Sequence, residues 1–179
     1  QNLFPTKNSL VIAVKGNDKI DRLLLAEIDK ISEKLSNLPQ VYSVFNINKA
    51  PILLLNNTNL LELANDNYET LLDTNLEIED VLNEFSKSPI YSDQIINEGK
   101  NITSIIIFLN ENDKAIDLKK NKNLYLSQGE YYSIKTEIDK ERNELIEKIR
   151  NIITNSNKDF TYYLGGVEMI SSDVISYVK

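Results

Sequence analysis

At 179 residues and 41% hydrophobic content, the chain is long enough for one domain with its own core. A net charge of −7 and a pI near 4.8 weigh against a polyanion partner, because nucleic acid needs a basic face to displace counterions. The absence of Cys, His and Trp removes thiol and imidazole chemistry, ordinary zinc sites and disulfides.

Residues 9–15 form a β-branched, apolar run and read as a first strand. Gly16-Asn17-Asp18 breaks it, and Asp18 is expected to cap the next helix. Ile20, Leu23, Leu24, Ile28, Ile31 and Leu35 recur at steps of three and four, which predicts a helix over 18–37 with these residues inward. Residues 41–47 read as a second strand. Alternation puts Val41, Ser43, Phe45 and Ile47 on one side and Tyr42, Val44 and Asn46 on the other.

An insertion over 48–100 follows. Ile52-Leu53-Leu54-Leu55 either extends the sheet or lies beneath it. Leucines between 60 and 72 suggest a short helix interrupted by Asn65-Asp66-Asn67. Ile78, Val81, Leu82 and Phe85 mark a better helix that stops before Pro89, and Glu98-Gly99-Lys100-Asn101 reads as a turn. Residues 103–109 are the most strand-like, and their continuous apolar character predicts a central strand covered on both faces. A polar excursion over 110–129 holds the only basic run, Lys119-Lys120-Asn121-Lys122, read as a solvated loop, and an apolar patch at Leu124-Tyr125-Leu126. A second long helix is expected over 131–154, with Ile134, Ile138, Leu145, Ile146, Ile149, Ile152 and Ile153 inward. Residues 160–164 read as a fourth strand, after which Gly165-Gly166 turns the chain away.

The order β-α-β (9–47), insertion (48–100), β-α-β (102–166) predicts an α+β fold of the ferredoxin-like, split β-α-β type. Two long helices would share one face of a mixed four-stranded sheet, within a single domain. That sheet's helix-free face is expected to be apolar enough to need a neighbour. No apolar stretch is long enough to span a bilayer. The chain opens on Gln1 without an initiator Met, and 167–179 reads as leading into a further, membrane-directed helix. Both ends are therefore expected to be cut from a longer polypeptide.

Short sequence words extend the topology. Leu10-Val11-Ile12-Ala13-Val14-Lys15-Gly16, the long helix and Leu38-Pro39-Gln40-Val41-Tyr42-Ser43-Val44 open the chain. Lys87-Ser88-Pro89-Ile90-Tyr91 and Ile95-Ile96-Asn97-Glu98-Gly99-Lys100 occupy its middle, and Glu141-Arg142 with Tyr163-Leu164-Gly165-Gly166 its end. In this order they resemble the first periplasmic loop, or porter domain, of RND-superfamily exporters of the MMPL and hydrophobe-exporter type. Gln40 replaces the Gly usual in that family, and Glu168 stands where Pro is common. The resemblance implies a periplasmic loop of a cytoplasmic-membrane protein that uses the proton gradient to export hydrophobic or amphiphilic molecules such as lipids or drugs. It also implies that the proton-carrying residues lie in membrane helices outside this chain. The expected partners are the other porter and membrane domains of the same polypeptide and a hydrophobic or lipid-like substrate, with no nucleic acid. A homo-oligomer of the parent stays open. The alternative is a ferredoxin-like regulatory domain that senses a small ligand at a helix–strand loop.

No residue set points to catalysis, a cofactor or a metal. Glu137, Asp139, Glu141, Glu144 and Glu147 interleave with Lys135, Lys140, Arg142 and Lys148 as on a solvated helix face. Asn110, Asn112, Asp113 and Asp117 lack the spacing and turn Gly of a calcium loop. The sequon matches Asn56-Asn57-Thr58 and Asn101-Ile102-Thr103 are expected by chance in so Asn-rich a chain. Tyr131, Tyr132, Tyr162 and Tyr163 are candidates for lining an apolar substrate path, or simply pack at a sheet edge. Gly165 and Gly166 are hinge candidates, and Gly166→Val is expected to impair export while sparing the fold.

Overall fold

The computed structural model describes residues 8–120 and 128–166. Strand β1 (Ser9–Lys15) lies at the middle of a four-stranded sheet. Its even residues Leu10, Ile12 and Val14 are fully buried, while Val11 and Ala13 on the opposite face are half-buried. The first helix, α1 (Arg22–Ser36), starts four residues later than expected. Its cap is Asp21, whose carboxylate accepts the Leu24 N–H at 2.8 Å. Asp18 loses that role because the preceding loop is tied elsewhere. The Gly16 and Ile20 N–H groups donate to the carbonyls of Asn101 and Lys100, each at 2.9 Å. Leu24, Leu25, Ile28, Ile31 and Leu35 form the inward face of α1. Burying each such side chain contributes about 1.5–3 kcal/mol. Leu23, expected inward, is 72% exposed, and Leu25 takes its place.

Strand β2 (Val41–Asn46) departs from simple alternation. Val41 pairs with Leu109 and Ser43 with Phe108, so Tyr42 is the extra residue of a bulge. The bulge moves the pattern by one position. Val41, Val44 and Asn46 are buried, whereas Tyr42 and Ser43 face solvent. A 3-10 turn at Ile47–Lys49 ends the strand, fixed by the Asn46 Oδ1 accepting the Asn48 N–H at 2.9 Å.

In the insertion, residues 52–55 do not extend the sheet. Ile52 is fully buried and its N–H donates to the Glu69 carbonyl. Helix α2 is a single short piece, Leu60–Ala64, opened by a capping box between Asn59 and Glu62. Asp66, at φ +52°, lies just beyond it. Helix α3 (Ile78–Lys87) buries Val81, Leu82 and Phe85 and ends at Ser88-Pro89, as the sequence predicts. Ala50, Ile52, Tyr91, Ile95 and Ile96 join these in the same core cluster as the sheet. The Ile95 carbonyl accepts from both the Ser104 N–H and the Thr103 hydroxyl, which fastens the insertion to the sheet.

Strand β3 (Ile102–Leu109) is central, between β2 and β1. Thr103, Ile105, Ile106 and Ile107 are fully buried; Ser104 and Phe108 are half-buried. Helix α4 (Asp113–Lys120) packs on the 27-residue α5 (Gln128–Thr154), and β4 (Thr161–Gly165) completes the sheet. The strand order is β2-β3-β1-β4, and all three pairings are antiparallel. The sheet is thus antiparallel where a mixed one was expected. The crossover through α1 leaves a strand's width between β1 and β2, and β3 fills it in the opposite direction. Helices α1 and α5 touch, and Leu145 and Ile149 of α5 join the core shared with β1, β3 and α1. The register puts Val11, Ala13, Phe45, Phe108 and Tyr163 together on the face opposite the helix-side core.

Candidate functional site

The insertion carries a surface groove of about 540 Å³. That is within the size range of ligand and side-chain pockets. One wall is the α3 stripe Asp80, Asn83, Glu84 and Lys87, at the i, i+3, i+4, i+7 spacing of one helix face. The other walls are the turn at 53–55 and Pro89-Ile90. Glu84 builds the turn. Its Oε1 accepts the N–H groups of Leu53 at 2.7 Å and Leu54 at 3.0 Å, and its Oε2 accepts that of Leu55 at 2.8 Å. A single carboxylate therefore satisfies three successive backbone donors. Beneath it, Tyr91 donates its hydroxyl to the Pro51 carbonyl at 3.0 Å and meets Phe85 edge to face. Burial, with help from Glu84, pushes the Tyr91 hydroxyl well above the usual tyrosine range. Both groups are thus engaged in structural hydrogen bonds.

A smaller pocket of about 260 Å³ lies at the β1–α1 loop, between Lys19–Arg22 and the start of α3. Lys19 bonds Glu79 at 2.8 Å, and Lys100 stands 3.9 Å from the same carboxylate. These two cations hold the Glu79 carboxyl below its ordinary range. No protein-family model matches the chain, and no curated protein shows significant sequence similarity to it.

The tyrosine candidates do not converge. Tyr131 and Tyr132 sit edge to face at the start of α5, with Tyr132 exposed. At 1.5 Å per residue that is about 35 Å from the helix's other end, where the chain turns toward β4. Tyr162 and Tyr163 occupy opposite sheet faces. Tyr162 lies on the helix side, and its hydroxyl donates to the Asn157 carbonyl at 3.0 Å. Burial and the nearby Glu27 and Asp159 push that hydroxyl up to about 12. Tyr163 is 57% exposed. Of the glycines, Gly165 ends β4 with open space where a Cβ would sit. Gly166 takes φ +137°, and a Cβ there would lie 3.0 Å from the Ser9 carbonyl oxygen. A side chain at Gly166 therefore strains the fold itself, contrary to the expectation that Gly166→Val spares it.

The α5 carboxylates are engaged on the surface. Lys114 of α4 bonds both Glu137 and Glu141, which raises its pKa, and Arg150 bonds Glu147. Asn112 caps α4 through the Ala115 N–H, and Asn110 donates to the Pro39 carbonyl. Among the described residues, no three acidic side chains gather as a metal site, and no helix is long and apolar enough to cross a membrane. Residues 121–127, with Leu124-Tyr125-Leu126, and residues 167–179 lie outside the described residues. Sequence reasoning missed the groove. Its signal was a carboxylate, Glu84, set between the buried positions Val81, Leu82 and Phe85 of a helix.

Proposed function

We propose that the chain is an extracytoplasmic porter domain of a proton-driven RND-type exporter of hydrophobic or amphiphilic molecules. In this reading it guides substrate and contacts neighbouring domains, and it performs no chemistry. The observation that carries the reading is the sheet face opposite the helix-side core, where Val11, Phe45 and Phe108 are half-buried around a buried Ile106 and Tyr163 is exposed. An antiparallel sheet tolerates water on one face when that face is polar. An apolar one wants a cover, and adjoining domains of a larger polypeptide would supply it. The ordered sequence words from Leu10 to Gly166 support the same reading.

The test is export of a hydrophobic dye by cells carrying the parent protein, wild type or with Phe108→Asp. Loss of export, with the 179-residue chain still folded when it carries the substitution, is the expected result. Wild-type export by the variant would remove the role of this face.

A second reading, a ligand-sensing ferredoxin-like module, rests on the pocket at the β1–α1 loop. A small anionic or zwitterionic ligand that raises Tm in the wild type but not in Lys19→Ala or Arg22→Ala would favour it.

A further inference from the structure

Several leucines of the insertion have no place in the readings above. Leu54 is 73% exposed, Leu60 85% and Leu61 71%, and Leu55 between them is also exposed. Ile90 is exposed on the far wall of the groove. Their frame is well bonded. Glu84 fixes the N–H groups of Leu53, Leu54 and Leu55, the Thr58 N–H donates to the Leu53 carbonyl, and the Asn59–Glu62 capping box starts α2. Exposed leucines scattered singly are ordinary, but Leu54, Leu55 and Ile90 line one groove on a bonded frame, which marks a contact surface.

Charge tells what kind of partner fits. Residues 48–100 contain ten carboxylates and three lysines, a net of −7 that equals the charge of the whole chain. The rest of the chain is therefore neutral overall; beside the leucines stand Asp80 on the groove wall, Glu62 in the α2 cap and Glu69, whose carboxylate accepts from the Asn56 amide. Glu84 is used by the turn, and Glu79 by Lys19 and Lys100. Asp80, on the groove wall, has no cation beside it among the described residues. Such a surface repels an anionic lipid headgroup and a second copy of itself alike.

We infer that the groove between the 53–55 turn and α3 docks a cationic amphipathic helix of a partner protein. Its apolar side chains seat among Leu54, Leu55 and Ile90, and its Lys or Arg residues face Asp80 and the acidic insertion. This is the helix-in-groove mode, with apolar anchors for affinity and charge for orientation. Lys87 at the other end of the α3 stripe sets the direction, so the cationic part of the partner lies toward Asp80. A porter and a sensor could carry this surface equally well.

The test uses the full 179-residue chain and two fluorescein-labelled helical peptides, one built from Leu and Lys with a single apolar face, the other from Leu and Glu in the same pattern. Anisotropy should report saturable binding of the Leu/Lys peptide only. The double variant Leu54→Ser, Leu55→Ser should weaken it about tenfold or more, and Asp80→Lys about threefold or more. All three side chains are exposed, so the urea midpoint should hold in each variant. Equal binding of the two peptides, or unchanged binding by the leucine variant, overturns the inference. So does cosedimentation of the chain with phosphatidylglycerol vesicles, or a wild-type dimer that the leucine variant disperses.

Discussion

Glu84→Gln isolates the contribution of one carboxylate to the insertion. The substitution keeps size and shape but replaces one acceptor oxygen by an N–H2 donor. In the native arrangement Oε1 takes the N–H groups of Leu53 and Leu54, and Oε2 takes that of Leu55, all within 3.0 Å. The amide oxygen of Gln can keep the first two bonds, now without charge. Its nitrogen then meets the Leu55 N–H donor to donor. A hydrogen bond to a charged group contributes about 1.5–3 kcal/mol and a neutral one about 0.5–1.5 kcal/mol. Losing one and weakening two gives a larger sum, but Leu54 and Leu55 are exposed enough for water to replace part of it. The expected loss is about 2–3 kcal/mol. With an m-value of about 2 kcal/mol per molar, the urea midpoint should fall by about 1–1.5 M. Hydrogen exchange should show the Leu53, Leu54 and Leu55 amides losing protection before those of β1 and β3. A midpoint shift equivalent to less than about 0.5 kcal/mol, with protection at 53–55 unchanged, would refute this account of Glu84.

Three further outcomes follow from the same geometry. Gly166→Ala should destabilise the domain by about 1–3 kcal/mol in urea, because of its φ of +137° and the nearby Ser9 carbonyl, whereas Gly165→Ala should shift the midpoint by less than half as much. Asn46→Ala should cost about 2–3 kcal/mol by calorimetry, since the Asn46 amide bonds the Ser32 hydroxyl at 2.8 Å and the Asn48 N–H at 2.9 Å where all three residues are buried. The Tyr162 hydroxyl, raised to about 12 by burial and its acidic neighbours, gives a stability term fully present below about pH 10 and lost as pH rises toward 12. Tyr162→Phe should therefore flatten the fall in urea midpoint over that alkaline window, and an unchanged slope would contradict the assignment.

The sequence by itself determined the parts. Spacing alone located α1, α3 and α5, since the burial of a helix face depends on a period that neighbouring residues write together. The continuous run at β3 and the β-branched run at β1 were legible for the same reason. What lay beyond sequence depends on residues far apart in the chain. The bulge at Tyr42 exists because β2 must match β3 across the sheet, and it overrode an alternation that looked regular in isolation. The cap moved from Asp18 to Asp21 because the loop before α1 is bonded to residues 100–101. The antiparallel order followed from β3 entering the gap left by the first crossover. The groove required Glu84 and the backbone of Leu53 to Leu55 to meet across about thirty residues of chain, as the closing hydrogen bonds show. Local periodicity fixes which face of an element is buried; only tertiary contact decides which distant donor meets which acceptor, and so where a surface is held rigid enough to bind.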